Sequence, residues 1–327
     1  MMIIRLLVGI TQRLEVKKLV ETKKQTPIIE AEDLGRVFVS GVFFKEQTVA
    51  VKDASFKMMP GTILSLIGES GSGKTTIGRM ILKLLKPTSG RLLYHGEDIT
   101  NITSKDDLRK YYSKVQGIFQ DPFSSFNPLF RVDRVFDMVY DIFLPHVKNR
   151  EERTAEVLES VNLNPERIMH QFPHQLSGGQ LQRLLIARAL LLDVEVLIAD
   201  ELISMLDAST RMGILNLLVD ICQKRGMSVL FITHDLALGY YISDYTMIMH
   251  RGLLVEKGAT AKIYDKPVHP YTKMLFNSVP DIGKRWDKNE KFIPEQVDQE
   301  IDKFYKENKG QGFEYLDSDH GVLLSTE

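Results

Sequence analysis

The segment Gly68–Thr75 reads GESGSGKT and lies between an apolar run and a helical pattern. The apolar run, Thr62–Ile67 (TILSLI), is bounded by glycine on both sides and has the length of a buried strand. The helical pattern is carried by apolar residues at Ile77, Met80, Ile81, Leu84 and Leu85. Pro87 is expected to end this helix. The order of strand, glycine-rich loop and helix predicts a loop that wraps phosphate groups.

The residue types in this loop suit the chemistry of a nucleoside triphosphate. Glycines let the backbone curve so that several N–H groups point inward, and the following helix adds positive potential at its start. Lys74 can reach the β- and γ-phosphates, and the Thr75 hydroxyl can bind Mg²⁺. We therefore expect a continuous phosphate-binding set: Gly68, Glu69, Ser70, Gly71, Ser72, Gly73, Lys74, Thr75 and Thr76.

A second apolar run, Val194–Ala199 (VEVLIA), leads directly into two acidic residues, Asp200 and Glu201. Acids at this position lie at the carboxyl edge of a parallel sheet, where ligands of such sheets bind. We expect Asp200 to hold Mg²⁺, directly or through water. Glu201 is expected to act as the general base that polarises the attacking water.

A third motif, Leu176–Gln180 (LSGGQ), precedes a long helical run from Leu181 to Leu192. Backbone N–H groups at such a helix start form a second anion-binding cradle. One nucleotide cannot easily use two cradles on opposite parts of one chain. A head-to-tail dimer solves this problem, because each copy of the motif then closes the γ-phosphate side of its partner's nucleotide.

Composition and element order fix the fold class. The chain has 327 residues, 42 basic and 43 acidic residues, and a single cysteine. This near-neutral balance argues against a dedicated nucleic-acid binder, and one cysteine excludes an internal disulfide framework and an iron–sulfur cluster with four cysteine ligands. Strand and helix alternate again at Val229–Thr233, which predicts an α/β fold with a mostly parallel sheet.

The chain is expected to divide into three parts. Residues 1–26 form an N-terminal extension, and residues 27–258 form the ATPase domain, with a helical subdomain inserted at about 127–177. Residues 259–327 form a C-terminal extension. Met1–Ile10 is apolar but about half the length of a membrane-spanning helix, and the basic residues follow it rather than precede it. We expect no membrane span, so any work at a membrane requires a partner.

In this order, the motifs resemble the ATP-binding subunits of ABC transporters, from about Pro27 to Pro280. The resemblance implies a P-loop NTPase core with an antiparallel β subdomain and an inserted helical one. It implies that Gln120 binds Mg²⁺ and the attacking water, that His234 contacts the γ-phosphate, and that Asp207 lies at the dimer interface. It also implies that Ser177, Gly178, Gly179 and Gln180 bind the partner's nucleotide. An aromatic residue should stack on adenine; we favour Phe44, with Phe38 and Phe43 left open.

Two stretches resemble the oligopeptide/dipeptide importer branch, namely Phe119–Pro128 (FQDPFSSFNP) and Lys266–Thr272 (KPVHPYT). Relatives in this branch move peptides, nickel or oligosaccharides, so the cargo stays open. The proline-rich turn of the second stretch is interpreted as a rigid docking loop. Elsewhere in the chain, Leu202 follows Glu201 at a position where the family usually has proline. This difference should loosen the loop after the two acidic residues.

The resemblance further implies a set of partners. These are a second ATPase subunit, two transmembrane permease subunits, and an extracytoplasmic solute-binding protein that acts through the complex. For the two ATPase subunits a heterodimer is favoured, and a homodimer is left open. The helical insertion near Phe123–Leu144 is expected to receive coupling helices of the permeases, with the subunit peripheral at the cytoplasmic face of the membrane. A non-transport ABC ATPase acting in DNA repair or translation, and a regulatory module that holds nucleotide without hydrolysis, are the alternatives.

Overall fold

The computed structural model describes residues 26–41, 46–278 and 294–326. The strands are β1 (Ile29–Ser40), β2 (Glu46–Met58), β3 (Ile63–Ile67), β4 (Ser89–Tyr94), β5 (Glu97–Asp98), β6 (Val115–Ile118), β7 (Val196–Asp200), β8 (Ser228–Thr233), β9 (Tyr245–His250), β10 (Leu253–Ala259), β11 (Phe313–Asp317) and β12 (His320–Leu323). The helices are α1 (Lys74–Ile81), α2 (Lys105–Lys114), α3 (Arg134–Phe143), α4 (Arg150–Ser160), α5 (Pro165–Ile168), α6 (Gly178–Leu190), α7 (Ala208–Arg225), α8 (Leu236–Ile242), α9 (Thr260–Asp265), α10 (Pro270–Asn277) and α11 (Pro294–Glu307).

The central sheet has eight strands in the order β11-β12-β10-β9-β3-β8-β7-β6. The five strands β9, β3, β8, β7 and β6 run parallel to one another. The other three, β10, β12 and β11, join beyond β9 as antiparallel strands. The predicted α/β fold with a mostly parallel sheet is therefore confirmed. All residues of β3, β7 and β8 are buried, because helices and a second sheet cover both faces.

A second sheet, in the order β2-β1-β4-β5, is antiparallel throughout. Its inner residues pack with α1 and with one face of the central sheet, to which β3 contributes Leu64 and Leu66. The opposite face of the central sheet packs against the inserted helices and α6–α8, with Ile63 of β3 on that side. Alternate residues of one strand thus serve two cores, as the two-residue repeat of a strand requires.

The helix after the phosphate loop is shorter than its apolar pattern predicts. α1 ends at Ile81, so the inclusion of Leu84 and Leu85 in its helical face is wrong. Lys83 adopts a left-handed φ of 56°, and its side chain donates to the carbonyl of Thr100. Leu84 is consequently 59% exposed, although Leu85 still packs on the edge of the core.

The C-terminal part of the chain is continuous with the central sheet. β12 pairs with β10, and β11 pairs with β12, so the hairpin extends the sheet by two strands. The sequence analysis predicts no strand here. The division at residue 258 falls inside β10, which runs to Ala259. Within the described ranges, no helix is both long and apolar enough to cross a membrane.

Candidate functional site

The phosphate loop connects β3 to α1, as the sequence predicts. Gly73 precedes α1 with φ 107°, and a Cβ atom there would lie 2.2 Å from the carbonyl oxygen of Ala50. Only glycine meets both conditions, because other residues disfavour positive φ and carry that Cβ. Ser70 and Gly71 are exposed at the tip of the loop, and Thr76 is half-buried in the first turn of α1.

The Lys74 side chain turns back into its own loop. Its Nζ donates to the carbonyl oxygens of Gly68 and Glu69, at 2.8 and 2.6 Å, and lies 3.3 Å from Ser72 Oγ. Burial lowers the pKa of Lys74, although the nearby carboxylates of Glu201 and Asp200 oppose this effect. A buried ammonium group with only carbonyl and hydroxyl partners can exchange them for phosphate oxygens.

Asp200 ends β7 and is only 5% exposed, so the structure places it inside the strand rather than after it. Its Oδ1 accepts a hydrogen bond from the Thr75 hydroxyl at 3.3 Å. Burial raises the pKa of Asp200, whereas this hydrogen bond and the charge of Lys74 lower it. A hydroxyl and a carboxylate oxygen are ligands that suit Mg²⁺.

Gln120 lies two residues beyond β6, and β6 pairs in parallel with β7. It is therefore at the same carboxyl edge as Asp200, where its side chain is exposed. Among the described residues, no group of three His, Cys, Asp or Glu side chains has the arrangement of a metal centre. A Mg²⁺ ion here would complete its shell with phosphate oxygens and water, as this ion commonly does.

Glu201 and His234 form the second hydrogen-bonded pair at this edge. Glu201 has a left-handed φ of 48°, and its Oε1 lies 3.2 Å from His234 Nδ1. Such backbone strain in a non-glycine residue is concentrated at functional sites. Both the N–H and the hydroxyl of Ser204 bond to the Glu201 carbonyl, and Leu202 is buried. The expectation that leucine in place of proline loosens this turn stays a prediction.

The Ser177–Gln180 segment starts α6 and caps it. Ser177 Oγ accepts from the Gln180 N–H at 3.3 Å, and Gln180 Oε1 accepts from the Ser177 N–H at 2.8 Å. These two bonds form a capping box, which stabilises a helix start. A Cβ on Gly179 would lie 2.5 Å from Thr210 Cγ2, so this glycine is needed for close packing of α6 against α7.

Asp207 caps α7. Its carboxylate accepts from the hydroxyl and N–H of Ser209 and from the N–H of Thr210. The Ser209 hydroxyl is the main cause of a pKa well below the usual range for an aspartate. Across the described residues, no hydrogen bond joins Asp207 or the Ser177–Gln180 segment to the phosphate loop. Within the described chain, each of the two predicted cradles therefore has its own separate set of hydrogen bonds.

The residue that stacks on adenine stays a prediction. Phe44, the favoured candidate, and Phe43 both lie outside the described residues. Phe38 lies at the end of β1 and is 38% exposed, with the Arg36 guanidinium 4.6 Å above its ring.

The sequence analysis missed two supports of the phosphate loop. The Tyr271 hydroxyl accepts the Glu69 N–H at 3.1 Å, and the Ser72 carbonyl accepts the Gly252 N–H at 2.9 Å. Tyr271 is fully buried, as is His269, so the interpretation of this turn as a docking loop is wrong for these two residues. The HPYT motif signals Tyr271 in the sequence, but no pattern there pairs it with a residue 202 positions earlier.

Two family matches agree with this geometry. Residues 51–204 match the family described as ABC transporter, a range that spans the phosphate loop, the Ser177–Gln180 segment and Asp200–Glu201. Residues 255–308 match the C-terminal region of oligopeptide/dipeptide transporters, a range that includes Tyr271.

Curated relatives and solved structures that match most of the chain belong to the same group. The oligopeptide transport ATP-binding protein OppF of Streptococcus pyogenes serotype M1 is 40% identical over 281 residues, which cover 84% of this chain and 90% of the relative. The dipeptide transport ATP-binding protein DppF of Haemophilus influenzae is 38% identical over 269 residues, covering 80% of this chain and 81% of that one.

Among solved structures, cbiO1 of Clostridium perfringens, part of the ABC transporter complex cbiONQ, gives a TM-score of 0.65 at 26% identity and covers 74% of this chain and 92% of its own. A dimeric ATP-binding cassette in a post-hydrolysis state, bound to ADP and Pi, gives 0.63 at 27% identity, covering 71% and 98%. The chain thus belongs to the ATP-binding subunits of ABC transporters, in the branch that carries the oligopeptide/dipeptide C-terminal region.

Proposed function

We propose that this ABC-transporter ATPase drives the uptake of peptides. The observation that carries the proposal is the match of residues 255–308 to the C-terminal region of oligopeptide/dipeptide transporters. On the same chain, the Thr75–Asp200 and Glu201–His234 pairs both lie at the carboxyl edge of the central sheet, where we expect the nucleotide to bind. Curated relatives named as oligopeptide and dipeptide transport ATP-binding proteins support the same cargo class.

In the proposed mechanism, each residue at the sheet edge has a separate task. The loop N–H groups and Lys74 bind the β- and γ-phosphates. Thr75, Asp200 and Gln120 would hold Mg²⁺, and the bound ion would supply charge stabilisation to the phosphoryl group. Glu201 orients the attacking water and accepts its proton, and His234 fixes the Glu201 carboxylate through Nδ1. His234 also contacts the γ-phosphate.

The remaining predicted residues act from the partner subunit. The Ser177–Gln180 segment and Asp207 of one subunit close over the nucleotide of the other. Their side chains already form helix caps, so the dimer receives a rigid surface with backbone N–H groups toward the phosphate. We propose a heterodimer of two ATPase chains, peripheral at the cytoplasmic face of the membrane, with two permeases and an extracytoplasmic solute-binding protein.

Exposed apolar side chains mark the proposed permease surface. Phe123, Leu129, Met138 and Ile142 are each about half exposed or more, and the last two lie on α3. Exposed apolar residues of this kind are typical of an interaction surface. All four lie within the segment Phe123–Leu144 that the sequence analysis predicts for permease docking.

An uptake experiment in the native cell tests the proposed cargo. Deletion of the gene should abolish ATP-dependent uptake of a radiolabelled tetrapeptide, the wild-type gene should restore it, and a Glu201→Gln gene should not. A Glu159→Gln gene, changed at an exposed glutamate of α4, should restore it fully. Normal peptide uptake in the deletion strain, with loss of labelled oligosaccharide or nickel uptake instead, would overturn the peptide assignment.

A further inference from the structure

A tyrosine of the C-terminal region contacts the phosphate loop directly. Tyr271, in the first turn of α10, is fully buried, and its hydroxyl oxygen accepts the Glu69 N–H at 3.1 Å. Its ring also packs against His250, with 4.0 Å between ring centroids. The ring thus anchors the side chain in the core, and the hydroxyl alone makes the bond to the loop.

The position of Tyr271 is fixed by its neighbour, His269. His269 Nδ1 caps α10 by accepting the Tyr271 N–H at 3.2 Å, and Nε2 lies 3.1 Å from the Tyr305 hydroxyl of α11. Burial lowers the pKa of His269 to about 3, so the ring is neutral at physiological pH. Because Nδ1 accepts a hydrogen bond, Nε2 carries the ring proton and donates a hydrogen bond to the Tyr305 hydroxyl.

A buried carboxylate ties the same turn to the terminal hairpin. Glu256 of β10 is fully buried and accepts the N–H groups of Val268 and His269, at 3.0 and 3.1 Å. It also lies 2.7 Å from His320 Nε2 of β12. With three partners, the carboxylate satisfies the bonding that burial demands. α10, α11 and the hairpin therefore form one connected support beneath the phosphate loop.

We infer that Tyr271 is a positioning residue for nucleotide binding, and that His269 and Tyr305 make the affinity of the phosphate loop depend on the C-terminal extension. The inference rests on the proposed role of Gly68–Thr75 as the nucleotide loop, and it is independent of the cargo. Tyr271 acts through the backbone of Glu69, at the entry to the loop.

The physical reason is preorganisation. The loop binds phosphate through N–H groups whose directions are set by its backbone, and the Tyr271 bond restrains that backbone at one end. Without the bond, the loop samples more conformations, and nucleotide binding must order it again. Because the same loop geometry is needed in the ground state and the transition state, the loss should raise KM and leave kcat nearly unchanged.

Tyr271→Phe tests this directly, since it removes the hydroxyl and keeps the ring. The Kd of the full chain for MgATP, measured by calorimetry, should rise about threefold to tenfold, the effect of one lost hydrogen bond. In the assembled transporter, KM for ATP should rise by a similar factor, with kcat within about twofold of wild type. Tyr305→Phe should shift Kd in the same direction by a smaller factor.

The matched control is Tyr140→Phe, which removes another buried hydroxyl, bonded to the Arg150 carbonyl in the helical insertion. It should lower the melting temperature as much as Tyr271→Phe does, with an unchanged Kd. Equal Kd values for Tyr271→Phe and Tyr140→Phe would overturn the inference. An unchanged Kd for Tyr305→Phe would overturn its extension to α11. Normal MgATP binding by Lys74→Ala would instead overturn the proposed function of the loop.

Discussion

The phosphate loop and the Ser177–Gln180 segment are both glycine-rich starts of helices, but they are built differently. The loop is held from outside by distant elements, through Gly252 and Tyr271, and its lysine carries a buried charge. The Ser177–Gln180 segment is held by its own capping box and by the packing of Gly179 on Thr210. The first is a nearly complete anion site within one chain, whereas the second offers a rigid helix start without a charged side chain.

This difference is the physical reason for the proposal that the second segment acts through a partner subunit and the phosphate loop does not. A helix start contributes roughly half a positive charge, which alone binds anions weakly in water. A buried lysine with several inward N–H groups binds far more strongly, because each charged hydrogen bond is worth more than a neutral one. ATP should therefore bind first to the loop, and the second segment should act only on a nucleotide already held by a partner.

The largest expected effect sharpens the comparison by trapping the closed dimer. Glu201→Gln should lower steady-state ATP hydrolysis of the assembled transporter by roughly 10²–10³-fold, a typical loss for a positioned base, while MgATP binding persists. Phosphate release measures the first and calorimetry the second. Glu159→Gln should leave both unchanged. Near-normal turnover in Glu201→Gln would remove Glu201 from the role of general base.

The next largest effect is expected from a substitution in the phosphate loop alone. Lys74→Ala should weaken MgATP binding to the isolated chain by about 10²-fold, because it removes charged hydrogen bonds to phosphate. Lys86→Ala, at an exposed lysine beyond α1, should bind as the wild type does. Calorimetry on the isolated chain gives both values. Binding of MgATP by Lys74→Ala as tight as by the Lys86 variant would contradict the assignment of Gly68–Thr75 as the nucleotide loop.

A smaller effect is expected from a substitution in the Ser177–Gln180 segment alone. Ser177→Arg should weaken ATP-dependent dimerisation by at least about tenfold, since a bulky side chain overpacks the closed interface. MgATP binding to the isolated chain should be unchanged. Light scattering of this chain mixed with its partner ATPase chain, in a Glu201→Gln background, measures the dimer, and Ser177→Thr, which keeps a capping hydroxyl, is the control. Normal dimerisation of Ser177→Arg would contradict the composite site.

The last prediction concerns acid stability beneath the phosphate loop. Burial lowers the pKa of His250 to about 4 and of His269 to about 3, whereas both titrate near 6.5 in the unfolded chain. Below pH about 6.5 the unfolded state binds more protons, so stability is full above that pH and falls as the pH drops toward 4. The loss is at most about 1.4 kcal/mol per pH unit for each histidine.

Melting temperature and hydrogen exchange between pH 7.5 and 5 check this expectation. The melting temperature should fall with pH, and less steeply in His250→Gln than in wild type or in His174→Gln, the control at an exposed histidine. After correction for intrinsic rates, protection of the Glu69 amide should fall before that of the Gln180 amide. Equal loss at both amides would contradict the separate support of the two regions.

Local sequence patterns predict those parts of the site that depend on neighbours in the chain. The strand, loop and helix around Lys74 follow from apolar spacing and glycine placement, and the structure has all three in that order. The end of α1 is different: the apolar spacing continues to Leu85, but the chain turns away at Lys83, whose side chain bonds to Thr100. A contact with another strand thus decides where the helix stops.

The sequence by itself determined the chemistry of this protein: a glycine-wrapped lysine, a strand that ends in two carboxylates, and a serine-capped helix start. Each of these is a local pattern of a few residues, so backbone geometry and residue type suffice to predict it. Only the tertiary structure decided that Tyr271 reaches Glu69, that Glu256 joins His269 to His320, and that a terminal hairpin extends the central sheet. Those contacts join residues far apart in the chain, and they form because buried polar groups must find partners wherever the packing brings them.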